Sequence, residues 1–155
     1  MNAEAAALAA RIEDAVRHAA DADAAMTQAV AMLERELHHY TWVGIYLRFA
    51  DELVLGPFEG KPSPHGRIPL GRGICGAAAT AKTTIVVDDV ASDPRYLACS
   101  LETKSEIVVP ILQDGRVLGE IDSDRSAAFG EADRRLVERV ADALAGRMRA
   151  EEPIS

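Results

Sequence analysis

An α/β fold of the α+β type is expected, with a mostly antiparallel sheet, helices on one face and pocket-forming loops on the other. Three observations predict it. Residues 3–37 and Glu131–Met148 carry apolar side chains at three- and four-residue steps among good helix formers, the pattern of amphipathic helices. Between them lie short β-branched and aromatic runs punctuated by Gly and Pro. Gln113-Asp114-Gly115-Arg116 reads as a tight hairpin, because Asp-Gly supplies the positive φ angles such a turn needs. Helices at the ends and hairpins in the middle favour a sheet with helices packed on one face.

The elements follow in order. Leu8, Ile12, Val16 and Ala19 mark the buried stripe of a first helix. Asp21 and Asp23 suit an N-cap, which divides the segment and starts a second helix with Met26, Val30, Leu33 and Leu37 on one side. Trp42 to Phe49 reads as a strand and Leu53 to Leu55 as the next, joined by a turn at Ala50-Asp51. Gly56-Pro57 through Gly66 reads as a breaker-rich loop, and Arg67-Ile68-Pro69 as a short extended piece. Gly71-Arg72-Gly73 turns into a short helix around Cys75. Thr83–Val87 is a compact β-branched strand, Asp88–Tyr96 a loop, and Ile107–Leu112 and Val117–Asp124 the two arms of the Asp114-Gly115 hairpin. The closing helix buries Leu136, Val140 and Leu144.

The chain of 155 residues is about one domain in length, and 48% apolar with 27% charged residues is a globular composition rather than a disordered one. A single domain over 1–155 is expected: helices in 1–39, sheet, pocket and closing helix in 40–149, and a frayed tail in 150–155. A net charge of -8 with scattered Lys and Arg argues against nucleic-acid binding and against an anionic membrane surface. No apolar run approaches the ~18 residues of a spanning helix, and Met1–Glu4 does not open a signal peptide. A cytoplasmic location is therefore expected. The two cysteines, Cys75 and Cys99, form no CxxC pair and have no His/Cys companions, so neither a structural zinc site nor any other metal or cofactor is expected.

Three carboxylates stand where strands should be apolar. Asp122 and Asp124 alternate onto one face at the end of their strand, and the hairpin brings Glu106 to the same end of the sheet. Clustered acids repel, which raises at least one pKa and leaves a carboxylic acid able to donate a proton near neutrality. The alternatives are a solvated strand end or a divalent-metal site, though hard cations usually draw their oxygens from one loop. Cys99 lies in an irregular segment just before Glu106, where a thiol is accessible. Cys75 lies at the start of a short helix, whose N–H groups favour a thiolate; both cysteines could equally be buried fillers. Trp42 and Tyr46, four apart on a strand, share a face and suit either packing around a thioether or sulfoxide or an ordinary core. His38, His39 and His65 lack metal spacing and read as surface or loop residues. Gly71-Arg72-Gly73 has neither phosphate-loop nor dinucleotide spacing.

As an ordered set, several segments resemble the free methionine-(R)-sulfoxide reductase family, which uses a GAF fold. They are Tyr40–Leu47, Leu53–Lys61, Arg67–Pro69, Gly71–Gly76, Ala98-Cys99, Ser105–Pro110 and Ile121–Asp124. The resemblance implies thiol-dependent reduction of free L-methionine (R)-S-oxide. On the matching positions Cys99 is the nucleophile, Glu106, Asp122 and Asp124 hold the sulfoxide oxygen and the substrate ammonium, and Trp42 and Tyr46 line the pocket. A second cysteine would then close a disulfide that a thioredoxin-like reductant reopens. A homodimer is also implied. One departure stands out. Many relatives carry a resolving cysteine between the Gly-Lys and Arg-Ile-Pro pieces, where this chain has Pro62-Ser63-Pro64-His65-Gly66. Recycling then falls to Cys75 or an external thiol, or the chain is a non-catalytic GAF small-molecule-binding or sensor domain.

Overall fold

A computed structural model describes residues 2–37, 40–95, 105–125 and 129–148. Four helices, α1 (Ala3–His18), α2 (Ala22–Glu36), α3 (Gly73–Ala81) and α4 (Glu131–Met148), accompany six strands. These are β1 (Tyr40–Phe49), β2 (Glu52–Glu59), β3 (Arg67–Pro69), β4 (Ile85–Val87), β5 (Ser105–Gln113) and β6 (Arg116–Arg125). The strands form one sheet in the order β3-β2-β1-β6-β5-β4, with every neighbouring pair antiparallel. The α+β architecture expected from the sequence is the one observed.

Local chemistry sets the element ends. Asn2 and Asp21 cap α1 and α2 by accepting the Ala5 and Ala24 amides, each at 2.8 Å, which satisfies N–H groups that have no partner inside the helix. Asp114 (φ 53°) and Gly115 (φ 76°) take the left-handed conformation that closes the β5–β6 hairpin. Gly71 and Gly73, also at positive φ, turn the chain from β3 into α3.

One expectation fails. Gly56-Pro57 does not open a loop; β2 continues through it to Glu59. Proline is tolerated there for two reasons. The pairing with β1 slips between Gly44 and Tyr46, which bulges β2 at this point, and β3 covers only Glu52–Val54 on the other edge. No ladder hydrogen bond therefore needs the amide that proline lacks.

The sheet separates two apolar clusters. On one face α1, α2 and α4 bury Ile12, Val16, Leu33, Leu136, Val140 and Leu144 against Val43, Ile45, Ile107, Val109 and Ile121. On the other, α3 packs Ile74, Cys75 and Ala78 against Trp42, Tyr46, Leu53 and Val108. The sheet's second face is thus roofed by one short helix and by loops, which leaves room for a site.

Candidate functional site

The alternation of β6 is the starting point. Glu120, Asp122 and Asp124 are spaced by two and project to the α3 side, while Ile121 joins the helix-side core. Across the sheet Asp124 faces Glu106 of β5 and Trp42 of β1, Asp122 faces Val108 and Gly44, and Glu120 faces Pro110 and Tyr46. All four carboxylates are buried: Glu106 is 6% exposed, Glu120 0%, Asp122 4% and Asp124 3%. The solvated strand end weighed from the sequence is therefore excluded.

Helix α3 delivers Cys75 onto this row. Its Sγ lies 3.3 Å from Asp122 Oδ2 and donates to it. Cys75, Glu106 and Asp122 each place one ligand-type atom within 4.8 Å of the other two. Together with Tyr46, His65, Ile68, Gly73 and Ile74 they line a narrow cleft of about 10 Å³. No Lys or Arg stands among those lining residues.

The electrostatics follow from burial without a countercharge. Burial pushes the Cys75 thiol well above its ordinary range, and Asp122, Glu120 and Glu106 push it further. The partial charge at the α3 N-terminus does not offset this, so the thiolate expected there from helix position is not favoured. Burial also raises Asp122, against which hydrogen bonds from Glu106 and Cys75 act. Glu120 is raised most by burial; the nearby Cys75 thiol opposes the shift and the Asp122 charge adds to it. Asp122 Oδ1 has no hydrogen-bond partner among the described residues. The site is thus a buried row of carboxyls and a thiol on one side of a cleft.

The aromatic pair serves the wall and the roof. Tyr46 lines the cleft, and its hydroxyl donates to the His65 carbonyl at 2.8 Å. Trp42 is not among the cleft's lining residues; its ring stands 6.4 Å from that of Tyr46, stacks on Phe58, and its Nε1 donates to the Lys61 carbonyl at 3.0 Å. The two polar tips thereby pin both ends of the 61–65 loop. Gly44 makes room for this: a Cβ there would stand 2.2 Å from the Trp42 ring.

Of the site residues expected from sequence, Cys75, Glu106, Asp122 and Tyr46 meet at the cleft, while Asp124 and Trp42 lie in the adjoining row. Cys99, with His38 and His39, lies outside the described residues. Glu120 was not singled out from sequence, although the same period of two that joins Asp122 to Asp124 reaches back to it. His65, read from sequence as a surface or loop residue, lies in the loop between β2 and β3, half-buried against the cleft.

The GAF domain family model matches residues 6–148, so the chain belongs to the GAF domain family. Within it the chain is closely related to free methionine-R-sulfoxide reductases. The Neisseria meningitidis enzyme of that name, solved in complex with its substrate, superposes with a TM-score of 0.88 at 38% identity, covering 97% of this chain and 93% of that one. Free methionine-R-sulfoxide reductase of Saccharomyces cerevisiae is 45% identical over 106 residues, 64% of this chain and 58% of that protein. GAF domain-containing protein A of Dictyostelium discoideum is 40% identical over 109 residues, 68% of each. Among the described residues no helix is long and apolar enough to cross a membrane.

Proposed function

We propose that this chain reduces free L-methionine (R)-S-oxide to L-methionine, using Cys99 as the nucleophile. The observation that carries the reading is the buried acid row beside a small cleft, in a chain 38% identical to a reductase solved with its substrate. A free amino-acid sulfoxide presents an ammonium group and a basic oxygen. A cleft lined by two buried carboxyls and, among the described residues, by no Lys or Arg complements both, since ionised acids attract the ammonium and protonated ones donate to the oxygen.

In this scheme the Cys99 thiolate attacks the sulfoxide sulfur, and a proton from Glu106, Asp122 or Asp124 goes to the oxygen. The S–O bond breaks, the oxygen passes to Cys99 as a sulfenic acid, and methionine leaves with its sulfur reduced by two electrons. Cys75 then attacks the sulfenic sulfur, water departs and a disulfide forms. A thioredoxin-type dithiol reopens it and is itself oxidised. Asp122, the hydrogen-bond acceptor of the Cys75 thiol, is placed to take its proton. Trp42 and Tyr46 contribute the apolar wall, Tyr46 directly. The same reading carries a cytoplasmic location and a homodimer.

Turnover of the separated epimers tests it. The R epimer is reduced with thioredoxin or dithiothreitol, and the Cys99→Ser variant is inert; no reduction of the R epimer with either reductant excludes the enzyme reading. Cys75→Ser is expected to stop thioredoxin-driven cycling while sparing release of one equivalent of methionine. The second reading is a small-molecule sensor. The loop Pro62–Gly66 without cysteine favours it, as does a Cys75 thiol held in its protonated form. Binding of a ligand to this cleft without any thiol-dependent turnover would support that reading.

A further inference from the structure

The acid row raises a question of charge that the proposed reaction does not answer. Four carboxyls and a thiol share one buried face. Cys75, Glu106 and Asp122 line the cleft, and among the described residues no Lys or Arg joins them there. Asp122 Oδ1, on a side chain 4% exposed, has no hydrogen-bond partner among the described residues. Buried polar atoms rarely go unsatisfied without a reason, and a site for a bound ion is one such reason.

The geometry points to a divalent metal. We propose that Cys75, Glu106 and Asp122 form a three-ligand site for one borderline-soft transition ion of the Zn2+ type, with Glu120 as the uncoordinated acid beside it. Each residue brings one ligand atom to within 4.8 Å of the others, and all three are buried. In a tetrahedral site with metal–sulfur and metal–oxygen distances of ~2.3 and ~2.1 Å, sulfur and oxygen stand about 3.5 Å apart. Cys75 Sγ and Asp122 Oδ2 are 3.3 Å apart. The ligands sit on β5, β6 and α3, three regular elements packed together, so little ordering is needed when the ion arrives.

Ligand chemistry narrows the ion. Two carboxylates disfavour Cu(I), and a thiolate disfavours Mg2+ and Ca2+, which leaves Zn2+ and its spectroscopic substitute Co2+. Binding exchanges protons for the ion. The Cys75 thiol must lose its proton to coordinate the ion. The fourth position stays open to water or to a ligand from the cleft. The expectation from sequence that no metal is bound rested on the absence of Cys/His spacing. It did not count a mixed set drawn from a helix and two strands.

If the chain is a sulfoxide reductase, the ion occupies the place proposed for the substrate ammonium, and zinc inhibits turnover reversibly. That consequence rests on the proposed function; the binding does not. The test therefore uses reduced Cys99→Ser protein, in which Cys75 is the only thiol and turnover is absent. Titration with Co2+ alone is expected to give a thiolate-to-cobalt absorption band in the near ultraviolet that saturates at one equivalent, with release of protons and displacement by Zn2+. Adding Cys75→Ser should abolish the band, and adding Asp122→Asn should weaken binding by about tenfold or more. Absence of the band in the Cys99→Ser protein overturns the proposal. So does one-equivalent binding that survives Cys75→Ser, or affinity unchanged by Asp122→Asn.

Discussion

Glu120 is a glutamate 0% exposed, two residues before Asp122 on the same strand. Its folded-state pKa is raised, as is that of Asp122. An acid whose pKa is raised on folding binds more protons in the native than in the unfolded state above its ordinary value. The stability this confers is complete below pH ~4 and falls as pH climbs toward the folded pKa. Melting temperature is accordingly expected to decline from mildly acidic to alkaline pH. Glu120→Gln, neutral and of the same shape, should flatten that decline. It should raise Tm above pH 7 by about 2–4 °C for each kcal/mol recovered, and change little near pH 4. A thermal melt series across pH checks both the slope and its sign. At Gly44 the constraint is space alone. Gly44→Ala must push the Trp42 ring off its position, at a cost of about 1–3 kcal/mol by overpacking, and it should weaken ligand binding with the shift. At this scale the sequence was partly readable. Asp122 and Asp124 declared themselves by sharing a parity, and Glu106 by the hairpin. Glu120 was passed over because a lone Glu within an apolar run also suits an exposed strand position, and only packing shows that α3 covers it.

Helix α4 starts on a single side chain with three duties. Asp133, in the first turn, reaches back to the Gly130 amide at 2.8 Å, half of a capping box. It also accepts from the Tyr40 hydroxyl at 2.9 Å and pairs with Arg125 at 3.2 Å. Tyr40 and Arg125 in turn pack on Phe129, edge-on and over the ring respectively. The end of β6, the start of β1 and the head of α4 are thereby tied together. Asp133→Ala should cost roughly 2–3 kcal/mol, because it strands a buried hydroxyl and a half-buried guanidinium at once. Urea unfolding would measure it as a lower midpoint with an unchanged slope. Helices and hairpin were legible from sequence because caps, period and turn residues are local signals. The continuation of β2 through Gly56-Pro57 was not. Whether proline can sit in a strand depends on which edge lacks a partner, and that is decided by β3, which pairs only with the first residues of β2.

For the molecule as a whole, the sheet keeps stability and chemistry apart. The large core lies between the sheet and α1, α2 and α4, and is fastened at its rim by Arg139 to Glu13 and by Arg147 to the carbonyls of Val16 and Ala19. The acid row lies on the opposite face under α3 and the 61–65 loop. Truncating Leu144 to Ala should lower stability by about 2–5 kcal/mol while leaving the affinity of the cleft for its ligand unchanged in the folded protein. Calorimetric unfolding beside a ligand-binding isotherm would separate the two effects. The architecture was readable from the order of elements, since terminal helices and central hairpins admit few packings. The meeting of Cys75 with Asp122 was not, because it joins residues 47 apart through the placement of α3. Trp42 adds a practical consequence. It is the only tryptophan in the chain, and its indole bridges β1 to the loop over the cleft. Emission excited at the red edge of protein absorption therefore comes from one residue at the roof of the site. Any ligand that lifts or settles that loop changes the polarity around a single fluorophore, so the unlabelled protein reports the state of its own roof.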